Sequence, residues 1–166
     1  MAREVRYWPA VVCLIVAALL EVLPLPDVLA TWRPPFAAIA IIYWTVMWPN
    51  RISVGTAFLV GLFLDLLHGS LLGENALSLS IVCYLAFRFH LRIRIFPLWQ
   101  MSLTVFALLA VNAFLQLWID GVAGAPPAGV DRWTQVLAGA LLWPILMGVM
   151  DRIRELTEPR SRSINY

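Results

Sequence analysis

Long apolar runs, broken by short clusters of proline, glycine, arginine and acidic residues, set the pattern of this chain. The runs are continuous, which predicts helices; the strands of a membrane barrel alternate apolar and polar positions over roughly ten residues. Six segments stand out, at residues 8–23, 35–48, 53–68, 71–89, 96–119 and 134–150, followed by a charged tail over 151–166. Pro34-Pro35 and Pro49 bound the second segment, and a tight Gly69-Ser70 turn separates the third from the fourth. Crossing a ~30 Å hydrocarbon core takes about 20 helical residues. The second, third and sixth segments are short by that measure, so they are expected to extend into their flanks or to sit where the bilayer thins. The expected architecture is an all-α integral membrane protein: one membrane domain over residues 1–166, with about six transmembrane helices in a compact bundle.

Composition makes lipid the required solvent. The chain is 61% hydrophobic and 13% charged, where a soluble domain is about half apolar and about a quarter charged. Six spans and their turns use nearly all 166 residues, which leaves no room for a soluble catalytic domain. Function therefore falls to the membrane, to short loops, or to contacts with other proteins. No basic run of the kind that binds nucleic acid is present. Cys13 and Cys83 lie in apolar segments and read as small apolar fillers.

All 12 basic residues are arginines. With the N-terminus inside, Arg3, Arg6, Arg51, Arg88, Arg92, Arg94, Arg152, Arg154, Arg160 and Arg162 are cytoplasmic, and only Arg33 and Arg132 lie outside. That bias follows the positive-inside rule and puts both termini in the cytoplasm, with the protein in the inner membrane. Residues Val28-Leu29-Ala30 mimic a signal-peptide cleavage site, but Glu21, Pro24, Pro26 and Asp27 intervene, and cleavage is not expected. Trp8, Trp32, Trp48, Trp99, Trp118 and Trp133 fall near segment ends, where indole rings favour the interface, whereas Trp44 and Trp143 lie deeper and are expected between helices.

The most informative stretch is residues 55–77, in which Gly61, Asp65, Gly69 and Gly73 recur at intervals of four. Such spacing forms a small-residue face, used either for close packing inside the bundle or for docking a partner helix. A carboxylate in an apolar segment faces the bundle interior, a partner or water. Asp65, Glu21 and Glu74 all fall toward the outer end, as do His68 and Arg33. We expect a polar cluster there, its three carboxylates partly neutralised by Arg33 and His68. Glu74 has a plainer role as an acid in the first turn of a helix. Asp65 and His68, at i and i+3, would also suit a metal, yet no nucleophile elbow, zinc motif or phosphate loop accompanies them. No enzyme activity and no cofactor are expected. Arg88, Arg92 and Arg94, with Arg152 and Arg154, form a basic cytoplasmic surface that either anchors to anionic lipid or docks a cytoplasmic protein.

These residues carry a resemblance. Trp32-Arg33-Pro34, Ile42-Tyr43-Trp44 and Pro49-x-Arg51 lead into Gly55, Ala57 and the block over 61–77, and Phe96-Pro97-Leu98-Trp99-Gln100 follows the arginine loop. The sequence resembles, over essentially its whole length, the rod shape-determining protein MreD family of bacteria, especially its proteobacterial members. The resemblance implies a non-enzymatic subunit of the elongasome. It also implies association with an MreC-type bitopic scaffold and, through it, with the MreB-like filament and the RodA–PBP2 synthase. A fold similar to the six-helix substrate-binding subunits of energy-coupling-factor transporters is implied as well. The competing reading, a small-molecule transporter or substrate-binding subunit, predicts a ligand-sized cavity between the helices. Homodimeric pairing through the glycine face stays open.

Overall fold

The structure, a computed structural model, describes residues 8–23, 32–49, 52–124 and 131–157. The expected cleavage-like motif at 28–30 lies outside them, as do Arg3, Arg6, Arg51, Arg160 and Arg162. Six helices make up the described chain: α1 Trp8–Val22, α2 Phe36–Met47, α3 Val54–His68, α4 Glu74–Ile93, α5 Leu98–Ala123 and α6 Asp131–Thr157. Each matches one expected segment, and the ends differ for local reasons. Helix α4 starts at Glu74, not 71, because Leu71 to Gly73 complete the turn; it then runs on to Ile93. Helix α6 was expected over 134–150 with a tail from 151. It runs for 27 residues and carries through Pro144, whose ring faces outward.

Helices α4, α5 and α6 are each long and apolar enough to cross a membrane. Helices α1, α2 and α3 are shorter, at 15, 12 and 15 residues. The shortness of α3 is fixed at both ends. Ser53 accepts a hydrogen bond from the Thr56 amide at 3.3 Å at its start, and Gly69, at φ 62°, turns the chain left-handed at its finish.

The position of α2 explains its length. Every residue from Ala37 to Val46 is buried. The helix packs against α1, α4, α5 and α6, while α3 leans on α4 and α1, and α1 meets α6 to close the ring. A helix apolar on all sides can be surrounded on all sides. The alanines at 37, 38 and 40 let its neighbours approach closely. Sheltered from lipid, α2 can be about 18 Å long without a mismatch against the bilayer.

Tryptophans sort as their positions in the segments predict. Trp44 and Trp143 are fully buried, and Trp8, Trp32, Trp99, Trp118 and Trp133 are exposed. Trp48 is partly buried and tilts against Trp44 at 4.6 Å between ring centres. Cys13 and Cys83 are free thiols, with Cys83 buried beside the Thr45 hydroxyl at 3.4 Å.

Candidate functional site

Contacts between helix ends bring the ends of α1, α3 and α5 together with the starts of α2, α4 and α6 at one end of the bundle. At that end, a carboxylate on the helix that arrives is bonded to the start of the helix that returns. Glu21, in the last turn of α1, accepts from the Ala37 amide at 3.0 Å, one of the first-turn donors of α2. Asp120, near the end of α5, accepts from Arg132 in the first turn of α6 at 2.9 Å. Asp65 does most. It is 1% exposed, and its two oxygens accept from the Gly73 amide at 2.8 Å, the Asn75 amide and side chain each at 2.9 Å, the Ser70 hydroxyl at 3.1 Å and the Ala76 amide at 3.3 Å.

The reason is the helix terminus itself. The first amides of a helix have no partner within it and carry partial positive charge. Away from water, a carboxylate on the preceding helix can supply both the acceptor and the counter-charge. Gly73, at φ 106°, has a backbone that an L side chain rarely adopts, and this bend aims its amide back at Asp65.

Cross-links between the turns complete the network. Arg132 bridges Asp120 and Glu74, the latter at 3.4 Å, tying α6 to both α5 and α4. Gln116 on α5 donates to the Asn75 side chain on α4 at 2.7 Å. Glu21, Asp65 and Glu74 therefore stand at one end; Arg33 and His68 lie close enough to interact through space with the Glu21 carboxylate, and His68 with Glu74 as well. Arg33 donates to the carbonyl oxygens of Leu20, at 2.5 Å, and Leu23. It stands just before α2 and reaches back to the last turn of α1, whose carbonyls need donors. Arg132 adds a direct ion pair to Glu74, a partner that the expectation of Arg33 and His68 did not include. His68 is exposed in the last turn of α3, where a cation suits the helix dipole. The Asp65 oxygens are already engaged by the turn, and the described residues contain no group of three or more His, Cys, Asp or Glu placed to hold a metal.

Gly61 shows how the small-residue face is used. A Cβ there would lie 2.5 Å from the Asn75 carbonyl oxygen and 2.6 Å from the Ala76 amide nitrogen, both backbone atoms of α4. The face serves close packing within the chain. Gly69 and Gly73 open into space and serve the turn through their positive φ.

The opposite end carries the basic residues. Arg88, Arg92 and Arg94 are exposed at the end of α4, and Arg94 reaches the Met47 carbonyl at 3.5 Å. Arg152 is exposed beside Glu155, and Arg154 pairs with Asp151 at 3.4 Å. Sequence reasoning missed one link here: the buried Tyr43 hydroxyl, on central α2, donates to Asp151 on α6 at 2.5 Å. The polar residues Tyr43 and Asp151 lie 108 positions apart, and no local pattern connects them. A cleft of about 390 Å³ also opens at this end, lined by Pro49, Ile52, Ser53, Val54, Cys83 and Phe87. Its lining is mostly apolar.

Comparison with known proteins gives a consistent match. The family model described as rod shape-determining protein MreD matches residues 2–153. A curated relative, the "Rod shape-determining protein MreD" of Haemophilus influenzae, is 33% identical over 143 residues, covering 84% of this chain and 86% of that protein. No solved structure matches.

Proposed function

This chain belongs to the MreD family of rod shape-determining proteins, and from that membership we propose that it is a non-enzymatic membrane subunit of the cell-elongation complex. In this reading it docks an MreC-type bitopic scaffold and so helps couple an MreB-like filament to the RodA–PBP2 synthase. The family match over nearly the whole chain is the observation that carries it. The geometry is compatible. The carboxylates at one end are engaged in joining helices, which suits a rigid docking body.

The orientation we propose puts the carboxylate end in the periplasm and both termini in the cytoplasm of the inner membrane. Its support is the distribution of arginine: Arg88, Arg92, Arg94, Arg152 and Arg154 stand at one end, and Arg33 and Arg132 at the other.

Depletion in the native host tests the role. Rods are expected to round up, wild-type protein to restore them, and the MreC-type scaffold to co-purify from detergent extracts. Unchanged cell width together with a scaffold-free preparation would overturn the reading.

A further inference from the structure

The cleft of about 390 Å³ at the arginine-bearing end is walled by two parts of the chain. Pro49, Ile52, Ser53 and Val54 come from the α2–α3 turn and the start of α3, and Cys83 and Phe87 from α4. Ile52 and Cys83 form a buried floor, while Val54 and Phe87 are exposed at the rim. The volume falls within the ~300–1,000 Å³ of small-ligand sites. The two polar side chains of the lining are engaged elsewhere, Ser53 with the Thr56 amide and Cys83 with the Thr45 hydroxyl. An apolar chain gains from burial in such a space, and water gains little.

Basic side chains adjoin the cleft. Cys83, Phe87, His90 and Arg94 follow at i, i+4, i+7 and i+11, which is one face of α4 and its C-cap. The His90 ring stacks on Phe87 at 5.5 Å between ring centres, and its Nδ1 lies 2.5 Å from the Phe87 carbonyl oxygen. A carbonyl only accepts, so the proton sits on Nδ1 and Nε2 is left for another partner. Arg94 reaches the Met47 carbonyl, two residues before Pro49, through one nitrogen of a guanidinium that carries five donors. The described acids at this end are already paired, Asp151 with Arg154 and Glu155 with Arg152. Helix α2 ends and α3 begins beside the cleft, and their opposed dipoles offset each other. Side-chain charge then decides, and it is positive.

From these observations we propose that the cleft holds one acyl chain of an anionic phospholipid, whose phosphate is met by Arg94 and His90. Phe87 to Arg94 is a rise of about 10 Å along the helix, so the apolar space lies deeper and the charge nearer water. A phospholipid stands in a leaflet in that order. A soluble anion would find the charge and leave the cleft empty, and a zwitterionic lipid would fill the cleft and gain less from the arginine. The inference rests on the bundle spanning a membrane and is independent of the role in cell shape, so purified protein without any scaffold suffices to test it.

Native mass spectrometry tests it on the full chain in detergent, titrated with phosphatidylglycerol or with phosphatidylcholine of the same acyl chains. The first phosphatidylglycerol is expected to bind about fivefold more tightly than phosphatidylcholine, the preference that one arginine confers near a membrane surface. Arg94→Gln is expected to abolish that preference and His90→Gln to reduce it. Arg152→Gln, at an exposed arginine of the same end, is expected to leave it unchanged. Val54→Phe fills the rim and is expected to weaken the first phosphatidylglycerol severalfold at an unaltered unfolding temperature. Should that variant fail to fold, Phe87→Ala removes the opposite rim and carries the same expectation. Inorganic phosphate in large excess is expected not to displace the lipid. Equal retention of the two lipids by the wild type overturns the proposal, as does a preference that survives Arg94→Gln. An equal loss in Arg152→Gln would reduce the effect to general surface charge, unhindered binding in the rim variant would place the acyl chain elsewhere, and displacement by phosphate would make the site one for a soluble anion; each of these also overturns it.

Discussion

Asp65 is a single side chain on which one helix junction depends, and its chemistry makes a sharp prediction. Both oxygens receive donors: Ser70 and Asn75 on one, Gly73 and Ala76 on the other. Asp65→Asn keeps the shape, but whichever way the amide flips, its NH2 group meets donors instead of accepting from them. Each buried donor left without an acceptor costs about 1–3 kcal/mol. The variant is expected to lose several kcal/mol, read as a fall in thermal unfolding temperature in detergent; an unchanged transition would refute the account. Asp65→Leu removes every acceptor and is expected to lose rod shape through failed assembly. Arg132 offers a second case. Arg132→Met leaves Glu74 and Asp120 side by side without their cation, at a cost of about 3–5 kcal/mol. Adding Glu74→Gln and Asp120→Asn is expected to recover most of that, because the penalty comes from unpaired charge and not from lost packing. The sequence made the acids at 21, 65 and 74 legible, since a carboxylate in an apolar run needs a reason. The partnership of Glu74 with Arg132 was hidden, because 58 residues separate them and either outer arginine could have filled the role.

Among the elements, α3 and α4 pack most closely, and Gly61 is where their backbones approach. A Cβ at that position meets fixed atoms of α4, not a flexible side-chain tip that could swing aside. Gly61→Ala is therefore expected to push the helices apart at about 1–3 kcal/mol, and Gly61→Leu to leave little folded protein in a detergent-solubility assay. Wild-type unfolding of Gly61→Ala would show that the contact is looser than the structure has it. The existence of all six helices was legible, because long apolar runs between breakers allow little else. The place of α2 was not. Its shortness suggests a thinned bilayer, and the burial of every residue from Ala37 to Val46 supplies a second account, because a helix enclosed by its neighbours need not match the bilayer. A helix apolar on every side looks the same in sequence whether lipid or protein surrounds it. The extension of α6 past residue 150 was hidden for a related reason. Asp151 and Arg154 read as the start of a solvated tail, and only the distant Tyr43 hydroxyl reveals that the helix is held there.

For the whole molecule, charge placement decides which end faces which compartment, and the two ends are chemically unlike. One carries exposed Arg88, Arg92, Arg94 and Arg152, placed to meet anionic headgroups, with Arg94 also reaching the Met47 carbonyl and Arg152 beside Glu155. At the other, Arg132 is tied to two carboxylates and Arg33 to the carbonyls that finish α1. Arginines engaged in this way can cross the membrane during insertion with part of their charge compensated, whereas the exposed end carries more arginines and Arg152 and Arg94 make only a longer, more exposed contact each. The exposed end is therefore expected in the cytoplasm. A reporter active only in the periplasm is expected to stay silent when fused after residue 166 and to be active when inserted at residue 128, between α5 and α6. Replacing Arg88, Arg92 and Arg94 together by glutamine, with the core untouched, is expected to weaken that asymmetry and yield a mixed population. A silent reporter at 128 with an active one at 166 would reverse the orientation. The carboxylate end would then face the cytoplasm, away from the periplasmic part of a bitopic scaffold, and docking of that part would have to move to the arginine-bearing end.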